Sequence, residues 1–599
     1  MATICADSVN GVDTNSGTQA LPVKTWDRAV ALAASGDTIL LKRDCSFDPS
    51  GGFFDAIASK DNITVDAYGT GGLPVLDGLT YENSGATGWA HEGAGVWSKL
   101  FGNGASATSR VKRLWTGANK AGNLRTQRTV GTARRRAKTP SADDLASITA
   151  NLDNDDIWWP SQGAMGYKLY VYTGSTTVNP PTFYNGLALL AGDQATVGAQ
   201  TCLLLRQCSN VLVQNIEAWG ANSTAFVAQS SVNDTAPTAN ITFRNCVAKY
   251  FYTGGFRAAP AGDNSALPKV EVSNVLFTGC VADMGTSPQE QEPDNTYNYL
   301  INAPDAFAFR DNATNCRAEY CTSINSMHVA FTMGAYVDNR YPTDNCGFYR
   351  CKAFWDTWHT YGRACTTYPT TPSSYIIECD FDGQTICSQL NGAPFVYRNV
   401  WRNMRLTNTR VGVSHAIAIT AELLYRSGSS ALGDDAYIRN VPTGVRLVEN
   451  MFVDPVGHII RLSTFNPYNY PVPEPVIADG TVEFINNICY HRASSAAWFQ
   501  VNQSGEPVGV QLFQNNDVFT GAGNPAPVAL IAGVEMALNA APGCAANIDL
   551  DPQVDFSNPT RATLALSSPC RGAGKFTRAP ADMRQYRRPN IGPETITYL

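Results

Sequence analysis

The sequence predicts an all-β chain wound as one long solenoid, a parallel β-helix, and three observations lead there. A six-residue pattern (apolar, any, apolar, any, polar or small, then Cys, Asn or an aliphatic) recurs along the second two-thirds of the 599 residues. Its copies alternate with period two, as half-buried strands do. They follow one another at uneven steps of 21 to 50 residues, in the range of a stacked repeat built from strands and turns. Helical repeats are excluded because no copy carries a 3.6-residue period. Uneven steps suit a coil whose strands stay constant while one loop varies.

The opening segment supplies a cap. TWDRAVALAASGD (25–37) reads as a short amphipathic helix ending at Gly36, and TILLKR follows as a strand. A solenoid must close its first open coil, and this helix is placed to do so. ITVDAY (63–68) is an early relative of the repeat. Residues 84–200 break the rhythm with WAHEGAGVWS, the basic run RTVGTARRRAKTP (128–140) and KLYVYTG. They read as an insertion or subdomain packed on the coils. The basic run suits an acidic polysaccharide, a solvated face or a subunit contact.

The repeat then runs through VLVQNI (211–216), ITFRNC (241–246), VLFTGC (275–280), CRAEYC (316–321), CGFYRC (346–351), SYIIEC (374–379), FVYRNV (395–400), VRLVEN (445–450), VEFINN (482–487) and VQLFQN (510–515). Stacked coils put equivalent side chains about 4.8 Å apart. Cys246, Cys280, Cys321, Cys351 and Cys379 therefore form a row, read as packed thiols rather than disulfides, because an inward Cys behaves as a small apolar residue. The expected organisation is 1–83 as cap and first coils, 84–200 as insertion, 201–540 as the central helix carrying the site, and 541–599 as a closing segment.

Composition narrows the partners. Lys+Arg 44 against Asp+Glu 51 leaves a net charge of −7, which argues against nucleic-acid binding. No apolar run approaches the roughly 18 residues of a membrane span, so no membrane insertion is expected. MATICADSVNGVDTNSG lacks a basic region followed by an apolar one, so no secretory leader is expected. No zinc spacing, EF-hand loop, phosphate loop or GxSxG is found; neither metal nor cofactor is expected.

The segments CADSVNGVDTNSGTQALPVKTWDRAVALAASGDTILLKR, VDAYGTGGLPVLDG (65–78) and SSPCRGAGKFTRAPADMRQYRRPNIG resemble right-handed β-helix proteins of the pectate-lyase-like group. Within that group the chain looks most like bacteriophage tailspike depolymerases. That resemblance implies a homotrimer, made in the host cytoplasm and carried on the virion tail beside other tail proteins, that binds and cleaves a bacterial capsular or O-antigen polysaccharide. A separate virion-binding domain before the β-helix is not seen.

The chemistry is sought where histidines precede alternating strands: His328, His359, His415 and His458, with Asp305 in the same slot after a long loop. Stacking would gather them into a titratable column; imidazoles near pH 6.5 trade protons at neutrality. Turn-capping is the alternative for each. Glycoside hydrolysis calls for two carboxyls. Asp305 with Asp356, or with Glu292, is the candidate pair, a like-charged neighbour raising one pKa to make it the acid. FWDTWHTYGRA (354–364) is the densest candidate: Trp355, Trp358 and Tyr361 offer flat faces to sugar rings, and Asp356, His359 and Arg363 offer polar contacts. Trp355 and Trp358 differ in strand parity, so one belongs to the core. Tyr336, Asp338 and Arg340 add sugar contacts from the preceding loop. Three functions stay open: hydrolysis; a lyase that removes the C5 proton of a uronic acid, for which His328, His359, Arg340 and Arg363 are suited; and a non-catalytic glycan-binding fibre.

Overall fold

In the computed structural model, the described residues are 1–49, 54–101, 111–129, 168–191, 201–231, 234–260, 270–285, 305–326, 328–334, 343–355, 362–404 (except 369, 372, 385–387 and 391), 444–453, 482–490 and 511–519, with shorter pieces between and beyond. Three parallel sheets run the length of these residues, of fifteen, fourteen and twelve strands. Each coil contributes one strand to each sheet, and the result is a right-handed parallel β-helix.

The cap forms as its sequence dictates. Thr25 is the N-cap of the Trp26–Leu32 helix, its side chain accepting from the Arg28 N–H. Trp26, Ala29 and Val30 line the buried face and join the continuous core. The Trp26 indole N–H donates to the Asp55 carbonyl at 2.9 Å.

What makes the coils repeat is one corner, ending the strand of the fifteen-stranded sheet. Ten residues there, one per coil, have positive φ: Asn215, Asn245, Gly279, Tyr320, Arg350, Glu378, Arg398, Glu449, Asn486 and Asn515. Only half are Asn or Gly, so the others bear a left-handed conformation that costs about 1–2 kcal/mol each. The corner turns the backbone so that neighbouring N–H groups point opposite ways. Tyr320 N–H donates to the next coil (Tyr349 carbonyl, 3.1 Å), and Thr322 N–H donates to the previous one (Cys280 carbonyl, 2.9 Å).

The residue between those two points inward. It is Ile216 first, then Cys246, Cys280, Cys321, Cys351 and Cys379, then Asn399, Asn450, Asn487, Asn516 and Asn547. Each Cys thiol lies 3.4–3.7 Å from a carbonyl of the preceding coil. Each Asn does the same work with an amide. Asn487, for example, accepts from the Asn450 N–H at 2.9 Å and donates to the Leu447 carbonyl at 3.0 Å. The row therefore changes from thiol to amide between Cys379 and Asn399, which the Asn399 Oδ1 joins by accepting from the Cys379 N–H at 2.8 Å. Two repeats are corrected by one residue. The ladder takes Asn399 rather than Val400, and Asn516 rather than Asn515, which instead occupies the positive-φ corner. No disulfide occurs among the described residues, and burial pushes the Cys365 thiol up to about 12.

The insertion splits one coil. The Thr64–Tyr68 strand pairs directly with Ser209–Gln214, and the intervening chain forms a four-stranded, a five-stranded and a two-stranded sheet, antiparallel but for one pair, around a core of Trp89, Trp97, Phe101, Leu114, Leu169, Val171, Leu187 and Leu189. Arg128, first residue of the basic run, is not solvated: its guanidinium is fully buried between Asp77 and Asp48. The parallel ladder reaches Cys544–Ala545, and the closing segment begins with an antiparallel pair, Val554–Asn558 with Arg561–Leu564. No helix among the described residues is long and apolar enough to cross a membrane.

Asn487→Ala is expected to strand the Asn450 N–H and the Leu447 carbonyl in the core. The loss should be on the order of 3 kcal/mol in urea denaturation; an unchanged midpoint would show that the amide row is not a source of stability.

Candidate functional site

Five consecutive strands of the fourteen-stranded sheet frame the site: Gly254–Pro260, Asp305–Arg310, Val329–Gly334, Arg363–Thr367 and Ser388–Leu390. Their inner faces are held by aromatic stacking in register. Phe256 and Phe307 lie with ring centroids 4.9 Å apart and 4° between planes, and Phe307 stacks on Phe331 at 5.5 Å. Their outer faces align Arg257, Ala308, Thr332, Thr366 and Gln389.

Asp305 starts its strand beside Gly254 and Val329, and Val329 pairs with Arg363. The column thus runs Asp305, Val329, Arg363, and further along the backbones of His415 and His458 are register partners. His328 stands one residue before the column, in the slot's approach; the slot itself holds Val329. That shift brings the imidazole against the carboxylate of the preceding coil. His328 Nδ1 lies 3.0 Å from Asp305 Oδ1. The other oxygen, Oδ2, accepts from an Nη of Arg310, five residues along the same strand. Arg310 also faces the Tyr368 ring, with its guanidinium carbon 5.3 Å from the centroid. On the following coil, the Arg363 N–H donates to the His328 carbonyl at 2.7 Å, and its Nη1 donates to Gln389 Oε1 at 2.9 Å.

Charge decides the protonation. Burial alone would raise the Asp305 pKa, but the Arg310 guanidinium and the His328 hydrogen bond outweigh it and hold the carboxyl at about 2. Its described neighbours are the Arg310 guanidinium and the His328 imidazole, so at neutral pH Asp305 is an anion with both oxygens engaged; the carboxyls expected from sequence beside it, Asp356 and Glu292, lie outside the described residues. Burial pushes the His328 pKa below its ordinary value; the Asp305 interaction opposes this, and the charges of Arg363 and Arg310 reinforce it. The imidazole is therefore neutral at pH 7. An ionised carboxylate can only accept, so the proton sits on Nδ1 and Nε2 carries a lone pair. The side chain keeps 18% of its surface exposed. Arg363 stands without a carboxylate partner among the described residues, and its Nε is buried with no hydrogen-bond acceptor. The hydroxyls of Thr332 and Thr366, adjacent in the outer row, are buried and unpaired as well.

Of the residues selected from sequence, the structure brings together Asp305, His328 and Arg363. Glu292, Tyr336, Asp338, Arg340, Asp356, Trp358, His359 and Tyr361 lie outside the described residues. Trp355 is the core tryptophan, its indole N–H donating to the Ser326 carbonyl at 2.6 Å. Sequence reasoning missed Arg310, Tyr368 and Gln389. Arg310 closes the DAFAFR strand, but nothing in the text links it to a ring 58 residues on.

No protein-family model and no curated protein matches the chain. Among solved structures, a xylose complex of XylC shares 10% identity over 92% of this chain and 87% of its own, with a TM-score of 0.48. The GH136 lacto-N-biosidase from Eubacterium ramulus shares 13% over 82% of this chain and 64% of its own, TM-score 0.34. PfbA, a surface adhesin of Streptococcus pneumoniae, shares 9% over 86% and 89%, TM-score 0.36.

Asp305 carries a pH signature. Its pKa of about 2 in the folded chain lies below the ordinary ~3.9, so its stabilisation is complete above pH 4 and vanishes as pH falls towards 2. The amount is about 2–3 kcal/mol. Asp305→Asn should lose stability at pH 7 and close the gap to the parent chain between pH 4 and 2, measured as urea midpoints; parallel curves at all pH values would contradict the ion-paired carboxylate.

Proposed function

We propose that the chain binds a bacterial surface polysaccharide where His328 stands at the head of the fourteen-stranded sheet's strands and cleaves it by β-elimination. The observation that carries this is the 3.0 Å contact between His328 Nδ1 and Asp305 Oδ1, with Arg310 on the other carboxylate oxygen. A neutral imidazole whose Nδ1–H is committed presents Nε2 as a proton acceptor.

In the elimination, His328 Nε2 takes the C5 proton of a uronic acid. The electron pair forms the C4–C5 double bond, the bond from C4 to the glycosidic oxygen breaks, and that oxygen takes a proton from solvent. C5 is acidic only if its carboxylate is neutralised. Arg363 is a cation without an acidic partner among the described residues, on the coil beside His328. Leaving a charge unpaired in a half-buried place is costly, and a substrate carboxylate would supply the partner. Asp305 serves as a positioning residue. Hydrolysis asks for a protonated carboxyl, and Asp305 at about 2 does not keep its proton at neutral pH. In a hydrolytic pair Asp305 could be only the ionised base or nucleophile, and Asp356 or Glu292 would have to supply the acid. The substrate being capsular or O-antigen polysaccharide, and the trimeric, virion-borne setting, belong to the same reading and are supported by the sequence resemblance alone.

Purified protein incubated with uronate-containing capsular polymers should generate products absorbing in the near ultraviolet. His328→Gln should lower that rate by ~10²-fold or more with folding retained, the scale of a lost general base. New reducing ends without absorbance would establish hydrolysis instead. Binding without any cleavage would establish a glycan-binding fibre.

A further inference from the structure

We infer that Arg310 is a positioning residue for His328: held between the Asp305 carboxylate and the Tyr368 ring, it fixes the carboxylate that fixes the imidazole's tautomer. The inference rests on reading His328 as the proton acceptor, and it adds a control that reading does not require.

The chain is built to place this guanidinium. Arg310 ends its strand in register with Gly334, which has φ +106. A Cβ at Gly334 would lie 2.7–2.9 Å from the Tyr368 backbone and its Cβ, so only glycine lets Tyr368 come this close. The Tyr368 N–H is tied to the Met333 carbonyl at 2.9 Å, which sets the ring's position relative to the strand. Arg310 then has a ring on one side, at 5.3 Å, and a carboxylate oxygen ahead of it. Cation–π contact and a charge-assisted hydrogen bond together hold an otherwise flexible side chain.

The consequence is electrostatic as well as geometric. Among the described residues, the charged groups facing His328 are Asp305 and Arg310 from the preceding coil and Arg363 from the following one. An isolated Asp–His pair favours the imidazolium, which cannot accept a proton. Arg310 neutralises Asp305 from the far side and adds its own repulsion, and Arg363 adds a second. Burial is the larger influence holding the imidazole neutral, and the two cations reinforce it. Without Arg310 the carboxylate is free to rotate about its own bond and to pair with a protonated imidazole.

The test uses the full chain. With 13C-labelled histidine, the signal absent from His328→Gln identifies His328, and its titration is followed by NMR without substrate. Arg310→Met should raise the His328 pKa, removing one of the two repelling cations and freeing Asp305 to pair with the imidazolium. The acid limb of kcat/KM on a uronate polymer should move up by the same amount, while the alkaline plateau falls less. Arg310→Lys, which keeps the charge, should return the limb towards the parent position. A purely structural role would lower activity evenly across pH. If Arg310→Met fails to fold, Tyr368→Ala, which removes only the ring, should give a smaller shift in the same direction. A His328 titration unmoved in the folded variant overturns the inference. A shifted titration in a chain that cleaves no polymer would overturn the elimination reading and leave the control of the imidazole standing.

Discussion

The rest of the structure depends on one corner of the coil. A residue in the left-handed conformation sends its N–H to the next coil, and the inward residue beside it ties back to the previous one. That pair of opposed contacts makes successive coils lie in register. It is maintained at the expense of strain at Tyr320, Arg350, Glu378, Arg398 and Glu449, none of which is suited to positive φ. The compensation is a row of donors that no longer face an empty core. Cys thiols serve on the earlier coils, and Asn amides serve further along, where each side chain accepts from one coil and donates to its neighbour. A thiol is a weak donor and an apolar filler at once; an amide is a strong partner that must be fully satisfied when buried. The change of residue type at Asn399 therefore keeps the geometry while changing its chemistry.

Register is what makes the site possible. His328 and Asp305 are 23 residues apart, and Arg363 is 35 further on, yet they occupy three adjacent coils. The Phe256, Phe307 and Phe331 stack beneath them leaves little freedom for the strands to slide. Among the described residues, the imidazole faces the Asp305 carboxylate and the Arg310 and Arg363 guanidiniums, and the Asp311 carboxylate also acts on Arg310.

The same economy of charge joins the insertion to the coils. Arg128 reaches from the inserted chain into the gap between Asp77 and Asp48, and Arg125 pairs with Glu217 at 2.9 Å. A single nitrogen of Arg128, Nη1, donates to both the Asp48 and the Asp77 carboxylates. The 124–128 segment is also stitched to the first coils by backbone contacts, among them the Arg125 N–H on the Asp44 carbonyl at 2.7 Å. A run that reads as a charged surface in the text begins as a buried strap.

By itself, the text determined the class of fold, the capping helix, the interruption by an insertion and the inward row of cysteines, because each is written in local periodicity. Asp305, His328 and Arg363 were legible as candidates because polar residues at the head of apolar strands stand out. Their partnership was not. Whether His328 or Val329 occupied the column turned on a single-residue offset, and Arg310 and Tyr368 became neighbours of the site only through stacking. Tertiary structure also decided the protonation of Asp305: a carboxylate's pKa follows the groups around it, and folding brings Arg310 from the far end of its own strand and His328 from the next coil against it. Periodicity is a property of adjacent letters, whereas the sign of an electrostatic field is a property of space.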